Sequence, residues 1–462
     1  MLAAGLDAMV SDVDVVWLAS PWPLVRYGDA KERARDGETP PSARLLALSD
    51  VILSVDQPQS RPEHSLVEQV QQYMDSHGYH WHVGSELNTG IAFFRNSAGA
   101  RAVLEEWAQR MKDAIAKGDP NHDQYWLNLV LQPRVLTDLK KDASARARWL
   151  PGVLKAAHSL GYKPVGLPLT PSAFEKQLPV NSSFVRGAFQ FKRRFDGDST
   201  EVVLSTFPIA QFSNGHTFFV QKLHEIVRVP PIAVHTTYQY GDSAVYAYGK
   251  RQRLRDEKLW FMDPPEYYNG SYLHLITSPA QMLTPERSEM LAEELGSTGH
   301  CLLDHLRLSS LQRQWIQDAF LLAAAMGRTL VLPQIWCVAD RFWTILNHCL
   351  IGSKVEMPQP FVCPLDHSYN LPIMHQSGLD WREHSFLSNP RVPPEVASSR
   401  MRLRVAPPDG AASAEPRGGT SEPELTIPAG SDFAQLARAV RESQSASEDT
   451  AKHSVGFAVD DL

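Results

Sequence analysis

Along the first 285 positions, short β-branched apolar runs alternate with longer stretches whose apolar residues recur at helical spacing. Residues 8–10 and 13–18 read as one buried strand interrupted by acids, and further apolar runs follow at 51–55 and 91–94. An amphipathic helix is predicted over 98–117. Gly118-Asp119-Pro120 ends it, and Pro120 opens a second helix over 121–131. Strand-like runs return at 202–207, 217–221 and 232–237. This alternation argues for an α/β fold with a mostly parallel sheet. A helix over 309–326 then leads into an apolar run at 329–332, with another helix expected over 339–349, so residues 286–400 read as a second, smaller α/β unit. From 401 to 462 the chain is rich in Pro, Gly, Ser, Ala and Glu. That tail is expected to be low-complexity and largely disordered, with one helix near 433–442.

Composition narrows the partners. The 462 residues carry a net charge of −7 and a pI near 6.2, which argues against a nucleic-acid or polybasic membrane role. The longest apolar stretch, 319–332, is broken by Gly327 and Arg328, so no membrane span is predicted, and no signal peptide is visible. Cys301, Cys337, Cys349 and Cys363 lack C-x-x-C spacing. They are either buried thiols or, in an oxidising compartment, supply a disulfide from within Cys337, Cys349 and Cys363.

The chemistry starts at Ser11-Asp12-Val13-Asp14-Val15-Val16-Trp17. On an extended chain, Asp12 and Asp14 point to the same side. Two like charges inside an apolar stretch need a cation to neutralise them, and a hard divalent ion also bridges phosphates. The ordinary alternative is a strand end turning into solvent. A haloacid-dehalogenase-like phosphatase also uses Asp-x-Asp, but it needs a later Lys and acidic pair that have no clear place here. Asn88, Thr89 and Gly90 precede an apolar run. Gly90 permits close approach of backbone to ligand, and the other two offer hydrogen bonds to sugar hydroxyls or merely form a turn. Asp123 and Gln124 open a helix, where an acid is favoured in any case. His235 ends an apolar strand, as a third metal ligand or as a packed residue. Lys250, Arg251 and Arg253 form a basic cluster suited to a diphosphate, or a solvated helix face.

Together these motifs resemble the plant and algal nucleotide-diphospho-sugar transferases that arabinosylate extensin-type hydroxyproline-rich glycoproteins. The resemblance runs over about residues 5–395. It rests on the Asp12/Asp14 run, Leu87-Asn88-Thr89-Gly90-Ile91, Asp123-Gln124, Gly215-His216-Thr217-Phe218-Phe219-Val220-Gln221 and Val234-His235-Thr236-Thr237. It continues through Gly249-Lys250-Arg251-Gln252-Arg253-Leu254-Arg255, Asp263-Pro264-Pro265-Glu266-Tyr267-Tyr268 and Asn389-Pro390-Arg391. It implies a GT-A-like mixed sheet flanked by helices over 1–285, in the Golgi lumen. It also implies transfer of arabinofuranose, with retention, from a UDP sugar to a glycan or glycoprotein acceptor. By the same resemblance Asp12, Asp14 and His235 hold Mn²⁺ (or Mg²⁺), and Lys250, Arg251 or Arg253 hold phosphate. Asn88, Thr89 and Gly90 face the donor, and Asp123 and Gln124 lie at the reacting carbon. Only about ten residues precede Asp12. The expectation is therefore a domain lacking its first strands and the family's membrane anchor. An inactive glycan-binding or scaffolding remnant is the competing reading.

Overall fold

The computed structural model describes residues 2–25, 46, 49–55, 87–131, 163–164, 190–195, 200–226, 228–277, 301–340, 350–351, 355–356, 360–398, 400–405, 424–427, 430–445 and 454–458. The chain divides into two compact units, Met1–Tyr238 with Leu350–Met357, and Gln239–Cys349 with Pro358–Leu462. The division falls at 238/239 rather than near 285, because the strand at 272–276 pairs into the second unit's sheet.

In the first unit the runs become strands β1 (Ala8–Ser11), β2 (Val15–Trp17), β3 (Val51–Val55), β4 (Leu87–Phe94), β5 (Lys163–Pro164), β6 (Gln190–Phe195), β7 (Thr200–Thr206), β8 (Phe212–Asn214) and β9 (Ala233–His235). A six-stranded sheet has the order β1-β4-β3-β7-β6-β5, and a three-stranded sheet the order β2-β9-β8. The larger sheet is mixed: β3 and β7 run parallel, while the β1–β4, β3–β4, β5–β6 and β6–β7 pairs are antiparallel. Val25, Ile52, Ile91, Phe93, Phe207, Phe212 and Ala233 form the buried core, which Val15 and Trp17 pack against.

Helices α1 (Ala98–Ala116) and α2 (Asp123–Leu131) follow β4. Ser97 caps α1 by accepting from the Ala100 N–H. On α2, Asn128 grips β4: its amide accepts from the Leu87 N–H (2.9 Å) and donates to the Leu87 carbonyl (2.7 Å). The run at 217–221, expected as a strand, is instead a π-helical turn over His216–Val220, all of it buried. An apolar run satisfies burial in either conformation, so periodicity cannot separate them. Here Asn214 accepts from the Thr217 N–H (2.8 Å) and turns the chain. At Gly215 any Cβ would lie 1.9 Å from the Thr237 carbonyl oxygen.

The second unit opens with α3 (Tyr248–Asp256), then β10 (Tyr272–Ile276), α4 (Cys301–Met326), β11 (Thr329–Val331), β12 (Ile335–Cys337), β13 (Phe361–Cys363), β14 (Trp381–Arg382), β15 (Arg400–Val405), β16 (Glu424–Ile427), α5 (Phe433–Ser445) and β17 (Ser454–Ala458). Its six-stranded sheet, ordered β14-β11-β10-β17-β15-β16, is parallel throughout. The parallel arrangement read from the sequence is thus realised here and not in the first unit. The segment beyond 400 is also more ordered than its composition predicts, since it supplies β15, β16 and β17 besides the expected helix. The helix expected over 339–349 lies outside the described residues except for Ala339 and Asp340, which are not helical. Cys337 and Cys363, on the antiparallel pair β12–β13, form a disulfide.

Candidate metal centre

The site is built on an irregularity in β4. Leu53 pairs with Ala92 but Ser54 pairs with Asn88, so Thr89, Gly90 and Ile91 bulge out of the β3 ladder. The polar groups freed by the bulge find other partners, as buried backbone must. The Thr89 N–H donates to Gln124 Oε1 on α2 (3.3 Å), and the Gly90 N–H to Asn88 Oδ1 (2.7 Å). The Gly90 carbonyl accepts from the Asp12 N–H (2.9 Å).

That last bond ties the Asp-x-Asp segment to the bulge. Asp12 and Asp14 are not on an extended strand, as the sequence suggested. They lie in a tight turn between β1 and β2, closed by the Val15 N–H to the Asp12 carbonyl, with Val13 fully exposed at its tip. The Trp17 indole N–H reaches back to Ser11 Oγ (3.4 Å). On the other side, Thr236 donates from both N–H and Oγ1 to the Asp14 carbonyl (3.1 and 2.9 Å), while Val15 pairs with His235.

These constraints aim three side chains at one point. His235 Nε2 lies 3.3 Å from Asp14 Oδ1 and 3.6 Å from Asp12 Oδ2. Ligand atoms of Asp12, Asp14 and His235 all fall within 4.8 Å of one another. His235 is buried, Asp14 partly so, and Asp12 is open to solvent. Two hard carboxylates and one imidazole, open on one side, form a donor set that suits a divalent ion such as Mn²⁺ or Mg²⁺.

Several expectations change at this level. Gly90 makes room for the His235 ring: an ideal Cβ would stand 2.2 Å from Cε1 and 2.4 Å from Nδ1. Asn88 is buried, and its amide oxygen faces His235 Nδ1 (3.0 Å) and the Gly90 N–H. Gln124 holds the bulge through Thr89. Asp123 is exposed at the start of α2.

Lys250, Arg251 and Arg253 sit on α3 in the second unit. Arg253, expected among the phosphate-binding cations, is turned inward. It is 1% exposed, with Nε 3.0 Å from both oxygens of Asp366 and Nη2 2.9 Å from Oδ2, so it serves as an internal ion pair. Arg251 is half-buried against the Tyr246 ring (4.5 Å) and donates from Nη2 to His375 Nε2 (3.2 Å). An arginine N–H can only donate, so this imidazole is the acceptor and is neutral. Burial, followed by the charges of Arg251 and Arg255, holds His375 down to about 4. Much of the distinctive motif around α3 is scaffold: Arg255 pairs with Asp263, and Arg391 donates to the Asp263 carbonyl (2.7 Å) and covers Tyr268.

A family model described as nucleotide-diphospho-sugar transferase matches residues 1–254, more than half of the chain. The chain belongs to this family. The match covers the turn, the bulge and His235, and it removes the phosphatase alternative. Among curated proteins, the chain is similar to the protein named arabinosyltransferase XEG113 of Arabidopsis thaliana, at 28% identity over 417 residues. The alignment covers 88% of this chain and 49% of that relative, so the chain spans about half the length of the protein it matches. No solved structure matches. Among the described residues, no helix is long and apolar enough to cross a membrane.

Two contributors escaped the sequence reading. Asn128 lies four residues after Gln124, on the same face of α2, and that spacing was the available signal. Thr236 fixes Asp14 through backbone pairing that no local pattern announces.

Proposed function

We propose that the chain is the catalytic part of a metal-dependent transferase that moves L-arabinofuranose, with retention, from a UDP donor to a glycan or hydroxyproline-rich glycoprotein. The convergence of Asp12, Asp14 and His235 in a nucleotide-diphospho-sugar transferase carries this reading. The likeness to a protein named arabinosyltransferase supports the arabinosyl donor, and the acceptor class is taken from the motif resemblance in the sequence. The buried Cys337–Cys363 bridge supports an oxidising compartment such as the Golgi lumen.

Asp12, Asp14 and His235 would hold Mn²⁺ or Mg²⁺, which when bound neutralises the diphosphate and stabilises it as a leaving group. Asp123, Gln124 and Thr89 border the donor sugar. The acceptor hydroxyl attacks from the face the diphosphate leaves, its proton passing to a departing phosphate oxygen, so no carboxylate nucleophile is needed. The test is hydrolysis of UDP-arabinofuranose with and without Mn²⁺, in the parent and in Asp14→Ala. Metal-stimulated turnover that the substitution abolishes upholds the proposal. Equal turnover in both proteins removes the metal assignment, and none in either favours an inactive remnant.

A further inference from the structure

We infer that Asn88 is a positioning residue which fixes the tautomer of His235. The inference rests on the metal-site reading above and deepens it. The argument starts from a donor of known sense. The Gly90 backbone N–H can only donate, and it lies 2.7 Å from Asn88 Oδ1, so this atom is the amide oxygen and not the nitrogen. The same oxygen lies 3.0 Å from His235 Nδ1. An amide oxygen only accepts, so Nδ1 carries the hydrogen.

In a neutral imidazole the other nitrogen, Nε2, then presents a lone pair. Nε2 is the atom that stands 3.3 Å from Asp14 Oδ1 and 3.6 Å from Asp12 Oδ2. With Nδ1–H held by Asn88, Nε2 is the nitrogen that faces both carboxylates and the one that would meet a cation there. The bulge in β4 is what makes this relay. It turns the Gly90 N–H out of the ladder and into the Asn88 side chain, while Ser54 Oγ donates to the Asn88 carbonyl (3.1 Å) and holds the backbone. Asn88 thus acts on the metal through His235, and the sugar-binding role drawn from sequence is not required of it.

The test uses the whole chain labelled with ¹⁵N-histidine at pH 8, with His235→Gln identifying the resonance. The parent should show the Nδ1–H tautomer without metal. Mn²⁺ affinity, followed by the electron paramagnetic resonance of the free ion, should fall roughly 10–100-fold in Asn88→Ala, as for other partners of metal-bound histidines. Asn88→Asp retains the accepting oxygen and should recover most of the loss. Melting curves confirm that the variants are folded. An Nε2–H tautomer in the parent, or a folded Asn88→Ala that binds Mn²⁺ as the parent does, overturns the inference. If Asp14→Ala also binds Mn²⁺ like the parent, the metal site itself is wrong, which separates the two failures.

Discussion

Gly90→Ala is the sharpest probe of the site, because the substitution adds one carbon at a place where space is already taken. The new Cβ would lie 2.2 Å from His235 Cε1, whereas ordinary contact begins near 3.4 Å, so the two must part by about 1.2 Å (3.4 less 2.2). Gly90 does not occupy the left-handed region, so alanine brings no backbone strain and the effect is steric. Metal–ligand distances tolerate only about 0.2 Å, so a displacement roughly six times larger removes His235 as a ligand. Disturbing a partner of such a histidine already costs about 10–100-fold, so losing the ligand should cost at least about 100-fold, or ~2.7 kcal/mol. Overpacking should cost only about 1–3 kcal/mol of stability, leaving the chain folded. The assay is Mn²⁺ titration, with and without UDP, beside a thermal melt. A folded variant with affinity within about threefold of the parent, a difference of well under 1 kcal/mol, would refute the geometry.

Three further outcomes are expected in the second unit. Arg253→Ala leaves the Asp366 carboxylate buried without its ion-pair partner, and should lower stability by about 3–5 kcal/mol in denaturant unfolding; a phosphate ligand would instead lose donor affinity with no loss of stability. Cys337→Ser opens a loop spanning 26 positions, for which chain entropy gives about 3.5 kcal/mol, so the melting temperature should drop by roughly 10 °C and become insensitive to reductant. Asp256 is fully buried, and desolvation, then the charge of Glu383, raises its pKa well above the usual carboxylate range. The folded state thus keeps this proton to higher pH than the unfolded chain does. The associated stability is full below about pH 4 and is lost as pH rises through the raised value. Asp256→Asn should therefore melt higher than the parent near neutral pH, with the gain shrinking toward pH 4. An equal gain at both pH values would contradict this.

What the sequence disclosed depended on how local each determinant is. The continuous apolar run Val51–Val55 emerged as a strand with those bounds, and the apolar period after Ser97 marked α1. The paired acids and the strand-end histidine were recognisable because metal chemistry restricts residue type. Their actual arrangement was not, because the turn at Val13 depends on hydrogen bonds to β4 and β9, which are distant in sequence. The bulge at Thr89–Ile91 exists only relative to β3, so Gly90 looked like a ligand contact when its neighbour is an imidazole. Arg253 shows a similar limit: a basic run on α3 gives no hint that one member faces Asp366, 113 positions later. The strands beyond 400 escaped because composition reports average polarity, whereas a short parallel strand needs only a partner.

The placement of β17 has a consequence for biosynthesis. Although last of the described strands in sequence, it lies between β10 and β15, in the middle of the sheet. Until residues 454–458 leave the ribosome, β10 and β15 must wait as open edges, which are sticky templates for other chains. Closing the sheet joins residues nearly two hundred positions apart, a slow step by topology. A nascent chain stalled before this point would carry two half-sheets, and such intermediates depend most on chaperones.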